Sequence, residues 1–376
     1  MKVAIVHDYL TKLGGAERVL SAIAEIWPHA PIYTSVLDKT VVSASSIFAD
    51  REIKATPLQN LPLKKELNKI IVPFLPFAFE NLDLAEYDVV ISSGYFAKGV
   101  LTKPHQLHVN YCNTPPRFLY HYGTETKVRD NAVGRLLIGP VDHKLRIWDY
   151  TSAHRPDLIV ANSVTVAERI EKFWQRNARV IYPPVELPEE YPSEDALKAR
   201  WKDQNGQFSL AIGRLEPYKN TKLIVETCNK LEKFLKVAGV GSELKELKKI
   251  AGPTVDVMGR VPEEDLPLLY AGCKALVVAA EEEDFGLTPV EAMAYGKPII
   301  ALRSGGYRET VVDSKTGIFF DELSVESLGT AMEKIDSFYC RPEDALSRAR
   351  EFSKDRFQEQ FKSLVESAWE EDKNYK

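Results

Sequence analysis

Short apolar runs recur along this chain, separated by longer stretches in which apolar residues return every three or four positions. The short runs read as strands and the longer stretches as amphipathic helices. In the first half the pattern predicts strands over 3–7, 31–35, 53–57, 88–92, 107–112, 158–161 and 180–182. Helices are expected over 16–26, 64–69, 144–153 and 164–173. The second half repeats the scheme. Strands are expected over 208–212, 235–238, 255–258, 275–279, 298–302 and 317–320, with helices over 222–233, 243–250, 264–271, 289–294 and 325–335. This alternation predicts an α/β architecture of parallel sheets built from βαβ units. No short-period repeat and no low-complexity tract interrupts it.

The two halves meet at IYPPVELPEEYPSED, where Pro183, Pro184, Pro188 and Pro192 sustain neither a helix nor a central strand. The expected domains are therefore 1–184 and 185–354. The last segment, 355–376, carries a helical pattern with Phe357, Phe361, Leu364 and Trp369.

Composition narrows the classes. The 376 residues suffice for two α/β domains with full cores, and 44% hydrophobic with 27% charged residues is an ordinary globular balance. A formal net charge of −5 gives no basic excess for nucleic acid. No apolar run is long enough to span a bilayer, and MKVAIVHDYL enters a strand without a signal-peptide core, so a cytoplasmic location is expected. Cys112, Cys228, Cys273 and Cys340 are scattered and read as reduced thiols that pack as small apolar residues. The segment 61–79 mixes Lys64, Lys65 and Lys69 with Ile70, Ile71, Phe74, Phe77 and Phe79. Such a surface can rest on an anionic membrane at its inner face, although core packing is the better expectation for most of the aromatics.

Candidate chemistry concentrates in 275–306, ALVVAAEEEDFGLTPVEAMAYGKPIIALRSGG. It reads as strand, acidic loop, glycine, short helix, strand and Gly-Gly turn. Glu283 falls in the loop after the strand and Glu291 in the first turn of the helix. In open α/β sheets ligands sit at the carboxyl ends of strands, and helix N-termini there suit a phosphate. Carboxylates beside such an anion site suit sugar hydroxyls. A plainer structural role is open too: Thr288-Pro289-Val290-Glu291 fits a capping box with Thr288 as N-cap.

EDFGLTPVEAMAYGKPIIA followed by GGYRE resembles the signature of retaining glycosyltransferases of family 4 (glycosyl transferases group 1), in which two glutamates stand eight positions apart. The resemblance implies the GT-B fold, two Rossmann-like doubly wound domains facing across a cleft, with a nucleotide-sugar between them. It implies that Glu283 holds the donor hexose, that Glu291 holds the ribose, and that the N–H groups of Gly286, Leu287 and Thr288 approach the diphosphate. In that family the last helix crosses back to the N-terminal domain.

Further motifs fall into place beside it. Gly14-Gly15 in DYLTKLGGAERVL closes the first βαβ turn, where glycine admits a ligand close to the backbone. The family likeness puts Gly15 against the donor. Arg214 and Lys219 in AIGRLEPYKN match the family's GRLxxxK pattern. A planar fork and a point charge both suit a diphosphate that departs with developing charge. VNYCNTPPRFLY resembles a segment of O-antigen and capsule mannosyltransferases whose histidine falls on Asn113 here. Asn orients a hydroxyl but does not titrate near neutrality, so it cannot serve as a proton carrier. His108, on the same strand, reads as structural. Lys98 and Arg117 belong to loops that border the acceptor in the resembling enzymes, with Lys98 read either as an acceptor-phosphate contact or as a solvated lysine. A backbone group near Val261, in MGRVPEED, would hold the base. No metal-ligand spacing is present.

The expectation is thus a metal-independent retaining hexosyltransferase. It would take a GDP- or UDP-linked sugar as substrate, with GDP-mannose first, and use no resident cofactor. The acceptor would be a glycan or polyprenyl-linked glycan, with peripheral membrane contact and no nucleic acid. A non-catalytic nucleotide- or glycan-binding relative, or another GT-B enzyme such as a nucleotide-sugar epimerase, is the alternative.

Overall fold

The computed structural model describes residues 1–60, 71–122 and 132–375. The chain separates into two compact units, residues 1–184 with 354–376, and residues 185–353. Among the described residues of the first unit, seven strands run parallel: β1 (Val3–His7), β2 (Ile32–Thr34), β3 (Ile53–Ala55), β4 (Val89–Ser93), β5 (Leu107–Cys112), β6 (Leu158–Ala161) and β7 (Arg179–Val180). Their order is β3-β2-β1-β4-β5-β6-β7. Six strands of the second unit follow the same plan: β8 (Ser209–Ile212), β9 (Leu235–Ala238), β10 (Val255–Gly259), β11 (Ala275–Val278), β12 (Ile299–Leu302) and β13 (Gly317–Phe320), ordered β10-β9-β8-β11-β12-β13. Both sheets are doubly wound. Chain direction across the sheet reverses between β1 and β4 and again between β8 and β11, and each reversal leaves a crevice at the strand ends.

Alternation along the strands sorts the cores. In the first unit Ile5, Ile91, Val109 and Tyr111 pack under the helices Gly15–Ile26 and Lys354–Tyr375, where Phe357 and Phe361 lie 5.6 and 5.9 Å from the Tyr111 ring. Ala4, Val6 and Val90 face the opposite way, onto Leu75, Phe79 and Leu145. In the second unit Val237, Val277 and Ile300 pack beneath the helices Thr221–Leu231 and Val325–Ser337.

Several expectations need correction. The helix expected over 144–153 starts earlier and runs over Ala132–Ser152, with Pro140 inside it. Short helices at Lys39–Ala44, Glu194–Trp201, Tyr307–Thr310 and Pro342–Arg350 have no counterpart in the pattern reading. Their apolar faces are too small to set a period. The helix expected over 64–69 lies outside the described residues, as do Lys64, Lys65, Lys69 and Ile70. Of the aromatics after it, Phe79 is buried, but Phe74 and Phe77 are 56% and 72% exposed. Packing does not account for these two. The cysteines are all free, three of them buried.

Candidate active site

In the second unit, the loops after β8 and β11 meet at the switch point. The loop after β8 carries Arg214 and then a tight 3-10 turn, Pro217–Lys219, closed by Asn220 at φ 53°. Asn220 Nδ2 donates to the carbonyl of Ala279 at 3.0 Å, just past β11. The turn is thereby tied to the strand whose loop bears Glu283. Glu216 braces its other side, accepting from the N–H and hydroxyl of Ser242 at 3.2 and 2.6 Å.

The loop after β11 is held as tightly. Glu282 sits at φ 55°, and its N–H donates to Ser304 Oγ at 3.2 Å. The N–H of Gly306 donates to the carbonyl of Glu283 at 2.9 Å. A Cβ on Gly305 would stand 2.3 Å from that carbonyl oxygen. Only a bare backbone lets the Gly305-Gly306 turn approach this closely.

These two loops bring Lys219 and Glu283 together. Lys219 Nζ donates to Glu283 Oε2 at 2.6 Å, with the side chains 23% and 16% exposed. Arg214 Nη2 donates to the Tyr218 hydroxyl at 2.6 Å. The Lys219 ammonium lies 5.2 Å from the centre of the same Tyr218 ring. Tyr307 is buried against Glu283; burial and then the Glu283 charge hold its phenol well above the usual range, so it stays neutral. Tyr218 and Tyr307 escaped sequence reading, although Tyr218 sits inside the quoted AIGRLEPYKN motif.

The next helix, Leu287–Met293, corrects the capping-box reading. Its N-cap is Gly286, at φ 94°, not Thr288. Glycine takes the left-handed position without strain, which moves Thr288 and Pro289 into the first turn and Glu291 beyond it. The Glu291 carboxylate instead accepts from the Tyr270 hydroxyl. Tyr270 stacks on Tyr295 at 5.7 Å, and Tyr191 meets Tyr295 edge-on at 5.9 Å. Val261 follows β10, at the sheet edge, and is half-buried.

The first unit's strand ends are arranged otherwise. Gly14 is the N-cap of the helix that begins at Gly15. His7 Nε2 and Glu17 Oε1 lie 3.8 Å apart, both buried. Burial pushes the Glu17 carboxyl up, but the His7 partner outweighs it and the net shift is down. Asp8 accepts from the N–H groups of Tyr95, Phe96 and Ala97 at 2.7, 2.9 and 2.8 Å, fixing the loop after β4. His108 is structural, with Nε2 2.8 Å from Ser92 Oγ; burial, then the Arg155 charge, hold its pKa down at about 3.

Lys98 is neither an acceptor contact nor a solvated lysine. It is fully buried, donating to Asp149 Oδ1 at 2.5 Å and to the Tyr95 carbonyl at 2.7 Å. The rings of Trp148 and Trp174 lie 5.2 and 4.8 Å from its ammonium. The second Asp149 oxygen accepts from Tyr120 and Trp174, each at 2.7 Å. With the pair so fully satisfied, the charge faces inward.

Four buried polar atoms at the ends of neighbouring strands have no partner among the described residues: His7 Nδ1, Ser93 Oγ, Asn113 Nδ2 and Asn162 Oδ1. His7 pairs in register with Ser93. Asn113 and Asn162 each follow two residues after the paired Tyr111 and Val160. Buried polar atoms require water or ligand groups when protein supplies none. Arg117 lies on the short helix Arg117–Tyr120, 5.5 Å from the Tyr122 ring.

Residues 193–351 match the family model for glycosyl transferases group 1. An uncharacterized glycosyltransferase of Methanocaldococcus jannaschii is 22% identical over 87% of this chain and 86% of its own length. An alpha-1,3/1,6-mannosyltransferase of Dictyostelium discoideum is 27% identical over 66% and 67%. Among solved structures, sucrose-phosphate synthase from Thermosynechococcus elongatus superposes with a TM-score of 0.76 at 17% identity, covering 98% of this chain and 99% of that one. The shared architecture is the GT-B fold.

Proposed function

We propose that this chain, whose residues 193–351 match the family model for glycosyl transferases group 1, is a retaining glycosyltransferase that moves mannose from GDP-mannose to a glycan or polyprenyl-linked glycan. A UDP-linked hexose is the second donor choice. Mannose is supported by the name of the Dictyostelium relative and by the segment around Asn113. The observation that carries the reading is the Lys219–Glu283 pair at 2.6 Å, a cation and a carboxylate at one switch point.

A bound donor replaces that pair with two contacts of the same sense. Sugar hydroxyls donate to Glu283, and the diphosphate accepts from Lys219 and Arg214. The C1–O bond to the diphosphate then breaks, its electrons leaving on the phosphate oxygen. The acceptor oxygen bonds to C1 on the same face, and its proton passes to the departing diphosphate. Cations already in place stabilise the charge as it develops. Glu291, held by Tyr270, takes the ribose hydroxyls, and a backbone group near Val261 takes the base. The N–H groups of Gly286, Leu287 and Thr288 approach the diphosphate. In the first unit, Gly15, Asn113 and the unpartnered row offer donors and acceptors for sugar hydroxyls.

The nucleotide-sugar is substrate here, with no resident cofactor. Since Arg214 and Lys219 supply the positive charge, turnover should survive EDTA. Loss of activity in EDTA, restored by magnesium or manganese, would hand that role to a metal. The main test incubates the protein with GDP-mannose and UDP-hexoses, with and without lipid-linked glycan, and reads the product's anomeric configuration by NMR. An inverted product would overturn retention, and the absence of any transfer or donor binding would favour a non-catalytic relative.

No helix among the described residues is long and apolar enough to cross a membrane. For location the proposal is cytoplasmic, with peripheral contact at the inner membrane face through the exposed Phe74 and Phe77. Co-sedimentation with anionic vesicles should fall in Phe77→Ser.

A further inference from the structure

The two cations proposed for the diphosphate share one aromatic side chain. Arg214 Nη2 donates to the Tyr218 hydroxyl at 2.6 Å. Lys219 Nζ lies 5.2 Å from the centre of the Tyr218 ring while it donates to Glu283 at 2.6 Å. The Arg214 guanidinium carbon is itself 5.7 Å from that ring centre. The polar tip of Tyr218 thus holds one cation, and the ring attracts the other. We propose that Tyr218 is a positioning residue that sets both cations for a nucleoside diphosphate. This rests on the glycosyl-transfer reading above and adds a residue which that reading does not use.

Arg and Lys side chains are long, and the rotamer freedom they lose on ordering opposes any ligand that must gather them. A partner that orders them beforehand lowers that cost. Tyr218 is suited to this because its own backbone is pinned. Pro217 opens the turn, Asn220 closes it at φ 53°, and the Asn220 side chain ties it to Ala279. A phenol also accepts from a guanidinium without neutralising it, whereas a carboxylate in the same place would cancel the charge the diphosphate needs. Attraction between an ammonium and an aromatic ring likewise leaves the full charge available.

The two interactions separate by substitution. Tyr218→Phe removes the oxygen that Arg214 uses and keeps the ring beside Lys219. Tyr218→Leu removes both. The probes are UDP and GDP, titrated by calorimetry against the full chain, with uridine and guanosine as controls that lack the diphosphate. Tyr218→Phe should weaken diphosphate binding by about tenfold, the scale of one hydrogen bond to a charged group. Tyr218→Leu should weaken it further. Nucleoside binding and the unfolding midpoint should not change, since the side chain is half-exposed and near the surface.

A double-mutant cycle supplies a readout that a merely structural role would not move. In an Arg214→Ala background, Tyr218→Phe should have almost no further effect. In a Lys219→Ala background, the Tyr218→Phe loss should persist. Equal binding by Tyr218→Phe and the parent, or a Tyr218→Phe loss undiminished by Arg214→Ala, would overturn the proposal while leaving the phosphate reading intact. Should Arg214→Ala and Lys219→Ala both bind UDP and GDP like the parent, or the parent bind neither, the underlying reading fails and Tyr218 falls with it.

Discussion

The two units share one topology, yet their strand ends use charge in opposite ways. In the second unit, the loops on either side of the switch point carry Lys219 and Glu283 to a partly exposed pair. In the first unit, the loop after β4 bends back on its own sheet: Asp8 gathers three backbone N–H groups, and Lys98 is sealed against Asp149. The same doubly wound plan therefore supplies a crevice in each unit, but the residues decide whether its charges stay partly exposed or are turned into the core. A Lys just after a strand is not by itself a binding residue. What separates Lys219 from Lys98 is the set of partners. Lys219 has one carboxylate and one ring, whereas Lys98 has a carboxylate, a carbonyl and two indoles.

The contrast is broken most directly by removing each lysine. Lys98→Met should destabilise the first unit by about 3–5 kcal/mol, because Asp149 loses its buried cation partner and one carboxylate oxygen is left unpaired. Urea unfolding should show the loss as a lower midpoint. A melt unchanged from the parent would mean that Lys98 is not the buried partner described here. Lys219→Ala should leave the fold intact and cut transfer by about 10²–10³-fold, the scale of one lost charge-stabilising group. Arg214→Ala should fall in the same range. Near-parental turnover in both variants would return the pair to an ordinary surface ion pair.

Acid should also tell the units apart. His108 has a pKa of about 3 against an ordinary value of 6.5, because burial and then Arg155 oppose its protonation. Its native pKa is lowered, so the stability it contributes is complete above pH 6.5 and is lost as pH falls toward about 3. Asp8 has the opposite sign: burial raises its pKa, and the native state therefore holds its proton more tightly in acid. Glu17, shifted down, adds to the acid loss below its ordinary range. The first unit should thus weaken from mildly acidic pH downward, and His108→Gln should flatten the upper part of that slope. Urea midpoints measured from neutral pH to pH 4 check this, and an unchanged slope in His108→Gln would assign the titration elsewhere.

How much of this was legible in the sequence follows from the same physics. Val3–His7 was readable because both faces are buried and its first four residues are apolar without a break, and Leu107–Cys112 because apolar residues alternate with the buried His108 and Asn110. Arg214, Lys219 and Glu283 could be singled out because a motif fixed their types and spacing. The pairing of Lys219 with Glu283 could not, since it depends on β8 and β11 being neighbours across 64 residues. Lys98 was misread because burial of a lysine requires three distant partners that no local pattern announces. Thr288 was misread because a glycine at φ 94° competes for the cap, and local propensity favours the hydroxyl. For the aromatics of 61–79 hydrophobicity favoured core packing for most without saying which, and it is Phe74 and Phe77 that are exposed.

The smallest expected effect lies at Asn113, in the first unit. Its Nδ2 is buried without a partner among the described residues, in the row with His7, Ser93 and Asn162. An imidazole at this position keeps a ring N–H to offer the same direction. Asn113→His should therefore stay within a few-fold of the parent in transfer rate. Its signature should be in the pH profile: Asn does not titrate, whereas His adds a transition near its reference pKa of about 6.5. Asn113→Ala should lose more activity than Asn113→His, since alanine leaves no donor for a sugar hydroxyl. Rates for the three proteins across pH, with GDP-mannose and UDP-hexoses, separate the cases. A parental Asn113→Ala together with a flat profile for Asn113→His would place this residue among the first unit's structural polar groups, beside Asp8 and Lys98.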